Sequence, residues 1–467
     1  MFEKKEKEKN NTPKDNSSKK VFQVPPIGII DNIILTKKEV WAYYILAEKP
    51  YSFLSIPARL SLAQSTITAL GSLCQSASKK VDCHILISNQ PFDSRAWEKD
   101  IIDKYYKYNQ QYNPDRDNRN FMEFIMEQSD SLYMNNYQKR VTYLGVKIAD
   151  RGTIDAIANP LEFGFKDAIA SIKQSVSKMF LFDETEITAD EERKLRSLEE
   201  SVYNIMAGSS LQGKRPTAED CLLLIKRRLY PAMPTPYLET DHDNRIGLND
   251  IIIETGGEIE EKARYVKIKQ ICNGEELTGY RATLSFSKFP KDLIYPNTIP
   301  PFLHKPEMLG FTVNSRFSLI PTEEMKKRLY KKQKDTDDEI NNLADSNQRP
   351  TASLKETVKD QQILEQDLNE DNLPWIIGHY RITVEAPTEE DIRAIVANLK
   401  IEYKKYEFVL SWTTGDQLSM LKEEFLGGKL EIKDFAQTTN LALLGLAGIN
   451  FGGQVGDPVK QEIRYSE

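Results

Sequence analysis

The spacing of apolar residues changes several times along the first 150 positions, and each change marks a new element. WAYYILAEK (41–49) is aromatic and β-branched and predicts a strand. In SIPARLSLAQSTITALGSLCQ (55–75), Leu60, Ala63, Ile67, Leu70 and Cys74 recur every three or four residues, which gives a helix one apolar face. VDCHILIS (81–88) alternates Val81, Cys83, Ile85 and Ile87, a strand with one buried face. A charged, Tyr-rich helix near 95–108, a long helix from about 118 to 138 and the strand VTYLGVKIA (141–149) follow. Strand, helix, strand, helices, strand makes an α+β unit over about 25–150.

From 160 to 230 the pattern is helical and ends in TAEDCLLLIKRRLYP. There Thr217 and Asp220 have capping-box spacing, and Pro231 stops the helix. A Pro-rich connector leads to ARYVKIKQI and YRATLSFSKF. These flank CNGEELTG as a hairpin with a loop longer than the tight two-residue type. Residues 322–372 are almost wholly charged and helix-prone, a protruding helical hairpin with its polar loop near NQRP. GHYRITVEA is a strand. PTEEDIRAIVANLKIEYKKY is a helix with Thr388 and Asp391 at capping spacing, EFVLSWT a strand, and DQLSMLKEEFLGG a helix stopped by glycine. No internal repeat is convincing.

The expected fold class is therefore α+β, with mixed sheets, packed helices and a long charged helical hairpin. The expected organisation is a disordered polar tail (1–22), an N-terminal α+β subdomain (23–150) and a helical subdomain (151–235). A second α+β subdomain (236–435) carries the hairpin at about 322–372, and a linker (436–467) closes the chain.

Composition narrows the function classes. The 467 residues are 40% hydrophobic and 28% charged, ordinary for a globular protein, and the net charge of −7 exerts no overall pull on nucleic acid or anionic lipid. Four cysteines, Cys74, Cys83, Cys221 and Cys272, form neither a disulfide framework nor a zinc spacing and suit a reducing cytosol. The first twenty residues hold seven Lys and four acids, unlike a signal peptide. The best apolar stretch, ALLGLAGINFGG (442–453), is shorter than the roughly 18 residues that span a bilayer. The expectation is a cytoplasmic chain whose membrane association is peripheral, on the inner face of the cell membrane.

Candidate chemistry is sparse. GSSLQGKR (208–215) reads G-x-x-x-x-G-K but then has Arg215 where a P-loop needs Ser or Thr for Mg²⁺. Pro216 adds no N–H donor, and the preceding SLEESVYNIMA looks helical, so the segment reads as a helix-to-helix loop. KMFLFDE (178–184) resembles a Walker B strand ending in Asp183 and Glu184. It precedes the P-loop lookalike, however, and continues the helical spacing of Ile169, Ile172 and Val176. His84, His242, His304 and His379 are scattered and read as structural. Glu199–Glu200 and Glu389–Glu390 read as solvated helix faces or dipole-favouring first turns. KKRLYKKQK (326–334) reads as a solvated helix face, with nucleic acid or anionic lipid as the alternative ligand. No catalytic, cofactor-binding or metal-ligating residue is assigned, and no cofactor.

Two blocks carry a resemblance. WAYYILAEKPYSFLS, LAQSTITALGSLCQ and KKVDCHILISNQPFDSRAWEKDI resemble the opening of a Gram-positive conjugation ATPase, the ConE-like group of the type IV secretion motors related to TraC and the fourth VirB component. HYRITVEAPTEEDIRAIVANLKIEYKKYEFVLSW resembles the unit before that family's motor domain, and LALLGLAGINFGGQVGDP the linker into it. The likeness covers about residues 24–458. It implies that the motor's Walker A, Walker B and arginine finger are not in this chain, and that VKQEIRYSE reflects a truncated or split gene. It implies a non-catalytic docking module whose partners are conjugation-channel membrane subunits, a second copy, or a full-length motor ATPase. Nucleic acid is not expected as a direct ligand. The alternatives are part of an active ATPase whose P-loop domain lies on a separate chain, and a DNA-contacting accessory protein binding through residues 326–334.

Overall fold

The computed structural model describes residues 22, 24–50, 54–77, 79–91, 94–112, 119–134, 138–153, 179–181, 187–235, 257–272, 275–290, 302–303, 311–346, 348–370, 373–449 and 451–452. The rest of the expected polar tail, His242, His304, Asp183, Glu184 and the end of the expected linker lie outside them.

The first half runs β1 (Pro26–Ile30), β2 (Ile33–Thr36), β3 (Glu39–Ile45), the two-residue β4 (Lys49–Pro50), α1 (Ile56–Ala77), β5 (Val81–Pro91), α2 (Ser94–Tyr112), α3 (Arg119–Met134) and β6 (Gln138–Asp150). It continues through β7 (Met179–Leu181), α4 (Ala189–Gly208) and α5 (Ala218–Arg227). The second half runs β8 (Glu258–Glu261), β9 (Val266–Cys272), β10 (Glu275–Lys288), β11 (Phe311–Ile320), α6 (Thr322–Asp345), α7 (Ala352–Glu370) and β12 (Trp375–Ala386). It closes with α8 (Glu389–Lys404), β13 (Val409–Ser411), α9 (Gln417–Glu424), β14 (Gln437–Asn440), α10 (Ala442–Ala447) and β15 (Phe451–Gly452). The fold is α+β. Among the described residues, thirteen strands make one antiparallel sheet in the order β7-β1-β2-β3-β6-β5-β11-β12-β10-β9-β8, with β13 on β10 and β14 on β12; β4 and β15 form a separate parallel pair.

The sheet contains an internal repeat. Its first half is ordered β1-β2-β3-β6-β5 and its second β8-β9-β10-β12-β11. In each half a helical pair joins the last two strands, α2–α3 in one and α6–α7 in the other. A helix capped by threonine follows each time, α4 behind Thr188 and α8 behind Thr388. The chain then returns to the edge of the third strand, as the Ile45–Lys214 bridge or as β13 on β10, and enters α5 or α9. The halves meet where β5 pairs antiparallel with β11, with Ile85 opposite Ser315. The expected subdomains thus share one sheet.

The two faces of that sheet differ. α1, α4, α8 and α10 cover an apolar face whose core includes Leu144, Val146, Ile85, Val313, Ile382 and Phe286. On the other face α5 and α9 pack on Ile29, Ile34, Val266 and Ile268, so strands near both ends of the sheet reach the same two helices. Thr217 caps α5 with a full capping box, worth about 1 kcal/mol.

Several expectations are corrected. β5 is buried on both faces, because His84 and Leu86 are as inaccessible as Cys83 and Ile85 once helices cover both sides. Leu60, placed on the apolar face of α1, is exposed. Met179–Leu181, expected to continue a helix, pairs with β1 as an edge strand. Cys272 pairs with Glu275, so the β9–β10 connection is the two residues Asn273–Gly274, the Asn-Gly signal of a tight hairpin. Residues 437–449 belong to the body: β14 extends β12, and Gly445 of α10 sits so close to α1 that a Cβ would come within 2.8 Å of the Ala63 carbonyl oxygen.

Candidate functional site

The P-loop lookalike lies between α4 and α5, as its sequence context implies. Lys214 exchanges two backbone hydrogen bonds with Ile45, each 2.8 Å. Arg215 donates to both carboxylate oxygens of Glu199 (Nε–Oε1 2.9 Å, Nη2–Oε2 2.7 Å) and to Glu200 (2.5 Å), and stacks 3.7 Å over Tyr203. Asn32 also donates to Glu199 at 2.9 Å. The Lys214 backbone is thus paired with β3 and the Arg215 guanidinium is taken up by α4. Glu199, expected on a solvated face, is buried at 5% exposure as their acceptor.

The densest chemistry lies beneath α5 and α9, on the second face of the sheet. Glu424, at the end of α9, pairs with Arg281 of β10 and lies 3.8 Å from Arg228, which follows α5. It also accepts from Thr383. Glu423 pairs with Arg381 of β12 and accepts the Glu431 and Ile432 amides at 2.7 Å. Glu385 receives Arg227 at 3.1 Å. Two arginines also meet carbonyls at the ends of these helices: Arg281 donates to Arg228 O (2.7 Å) and Arg316 to Glu423 O (3.0 Å), where helix dipoles favour cations. Burial lowers the Arg228 and Arg381 guanidinium pKa to about 10, which leaves both charged at neutral pH. Burial alone would raise the Glu385 pKa, but Arg227, Arg281 and Arg228 hold it below its ordinary value. The arrangement is a buried ionic seam tying the helices of both repeats to the central strands.

The sequence reading missed this seam, although a signal was present. In HYRITVEA, His379, Arg381, Thr383 and Glu385 alternate with Tyr380, Ile382 and Val384. Such alternation ordinarily means a solvated strand face. Here that face is covered.

His84 lies on β5, where the two halves meet. Its Nε2 is 2.8 Å from Asn314 Oδ1 and its Nδ1 is 2.9 Å from Tyr43 Oη. Tyr43 Oη accepts the Gly427 amide at 2.8 Å, so the tyrosine donates to Nδ1 and His84 donates from Nε2. Gly145 leaves room for the Tyr43 ring, since a Cβ there would lie 2.5 Å from Cε1. Burial, and next the Arg316 charge, hold His84 well below its ordinary 6.5. A histidine kept neutral in the folded state contributes stability that is full above the unfolded pKa and lost as pH falls below it. Between about pH 7 and pH 5 the wild type is expected to lose more stability than His84→Gln, measured by urea unfolding at each pH. Equal losses would remove His84 as the source.

His84 reads as structural, and so does His379, whose Nε2 bonds Lys433 O at 3.0 Å. Among the described residues no group of three His, Cys, Asp or Glu is placed to hold a metal. Cys74, Cys83 and Cys221 are buried, and burial raises each thiol, Cys74 to about 11, which makes them poor nucleophiles.

The feature open to a partner is the hairpin of α6 and α7. α6 has 24 residues, about 36 Å at 1.5 Å per residue, yet Met325, Leu329 and Thr336 are its buried positions. The root packs Met325, Leu329 and Leu368 against Ile320 and Trp375. Beyond it Gln361 bonds Thr336 at 2.9 Å and Gln333 bonds Glu365 at 2.8 Å. Tyr330 is 72% exposed. The expected charged helical hairpin is present, with most positions of α6 exposed. Among the described residues no helix is long and apolar enough to cross a membrane. Compared with protein-family models and with curated proteins, the chain matches none.

Proposed function

We propose that the chain is a non-catalytic docking module of a conjugative type IV secretion machine, corresponding to the non-motor part of a conjugation ATPase. The observation that carries this reading is the α6–α7 arm, rooted in its own small core and largely exposed beyond it. A long solvated arm gains little for the fold that carries it and offers a partner an extended surface. The internal ties of Lys214 and Arg215 support the non-catalytic part of the reading. The resemblance to conjugation ATPases supplies the partner class, the membrane subunits of the transfer channel.

The test is to remove residues 334–360 and join the stubs through glycines, which spares the root packing of Met325, Leu329 and Leu368. The shortened chain is expected to keep the wild-type melting temperature and to lose co-purification with conjugation-channel membrane subunits. Undiminished co-purification, or none with the intact chain, overturns the reading. Mg-ATP turnover by the intact chain alone overturns its non-catalytic part.

A further inference from the structure

A groove of about 840 Å³ opens where the chain enters the fold, between the β2–β3 turn and the end of α9. Phe22, Val24, Ile259 and Leu418 give it an apolar floor. Lys37, Lys38, Lys422 and Lys429 stand around it. None of the four makes an ion pair among the described residues. Two carboxylates share the lining. Glu39 is taken by Lys147 (2.9 Å) and Trp41 Nε1 (3.1 Å), which leaves Glu431. Four cations around one free carboxylate is a local reversal of sign in a chain of net charge −7.

We propose that this groove binds an acidic, extended peptide segment of a partner protein, with its carboxylates among Lys37, Lys38, Lys422 and Lys429 and an apolar side chain on the floor. Charge complementarity selects the anionic partner. The apolar floor selects a peptide over inorganic phosphate, which has nothing to bury there. The recess selects a peptide over a flat bilayer or a duplex, which would meet the rim alone. The groove's chemistry holds whether or not the chain serves a secretion channel, and its test uses a synthetic probe.

The probe is a fluorescein-labelled peptide of sequence EELEELEE, read by anisotropy against the full chain, with KKLKKLKK as the control. The acidic peptide is expected to bind, the basic one not, and binding is expected to weaken as salt rises. The double reversal Lys38→Glu/Lys429→Glu is expected to weaken binding about tenfold or more, and Leu418→Ser to weaken it independently. Lys37 and Lys38 belong to an exposed turn and Lys429 is exposed, so these reversals are expected to leave the circular dichroism and melting temperature unchanged. If a reversal fails that check, Lys38→Gln/Lys429→Gln takes its place. No peptide binding, or binding unmoved by the substitutions, overturns the proposal. Phosphatidylglycerol vesicles or inorganic phosphate binding in a lysine-dependent way while the peptide does not overturns it in favour of that ligand. Lysine-dependent self-association in sedimentation velocity without peptide binding overturns it in favour of a second copy.

Discussion

Replacing Glu424 with alanine is expected to destabilise the protein by about 3–5 kcal/mol, read as a fall in the urea midpoint with an unchanged slope. Glu424 has no exposed side-chain surface, and Arg281 beside it has 1%. Removing the carboxylate leaves the Arg281 and Arg228 guanidiniums buried without the acceptor they share. The cost is that of an uncompensated buried charge, which exceeds the net worth of the pair. The double variant Glu424→Leu/Arg281→Met is therefore expected to be more stable than Glu424→Ala alone. If the double variant is the less stable of the two, the seam is held by something other than charge compensation.

Phe286→Ala is expected to cost a similar amount, about 3–5 kcal/mol. Phe286 lies on the apolar face, fully buried, with ring centroids of Tyr403, Phe302, Phe289 and Phe408 5.2, 5.5, 5.7 and 5.7 Å away. The Tyr403 hydroxyl donates to Phe302 O at 2.6 Å, which fixes α8 against the segment entering β11. Removing the central ring leaves a cavity that these anchored rings cannot collapse into, and the cost rises with residual cavity volume. Phe286→Leu is expected to cost distinctly less. Near-ultraviolet circular dichroism should record the loss of fixed aromatic packing in the alanine variant, while the β-sheet signal persists. Equal costs for leucine and alanine would show that the site relaxes freely.

The two variants probe opposite faces of one sheet, and the faces were unequally legible. The apolar face follows from periodicity: Ile67, Leu70 and Cys74 of α1 are buried as their spacing implies. The helix starts at Thr217 and Thr388 were readable because caps are local chemistry, satisfied by residues three positions on. The charged hairpin was readable because its apolar positions are few and its charged positions dense, which leaves most of both helices with no core to join. Asn273–Gly274 was equally local; the sequence reading passed over it and took CNGEELTG for a longer loop.

The ionic seam was not readable in this way. Arg281, Arg316, Arg381, Glu385 and Glu424 are spread over 144 positions, and the ordinary meaning of charge in a strand is exposure. Their burial depends on α5 and α9 crossing that face. Glu199 shows the same effect on one residue: beside Glu200 it reads as solvated, and Arg215 with Asn32 draws it inside.

The sequence by itself determined what short-range physics determines: most helices and strands, their caps, the arm, and the weakness of the P-loop lookalike, which follows from Arg215 and Pro216 alone. Tertiary structure decided what depends on pairing between distant segments. It joined β5 to β11 into one sheet, exposed an internal repeat with no convincing trace in the residues, turned an alternating polar pattern into a buried seam, and set four lysines around one groove beside α9. The physical reason is common to all four. Strand order and helix placement are set by which faces bury each other across the fold, and identical topologies can be filled by different side chains once the overall pattern of burial is kept.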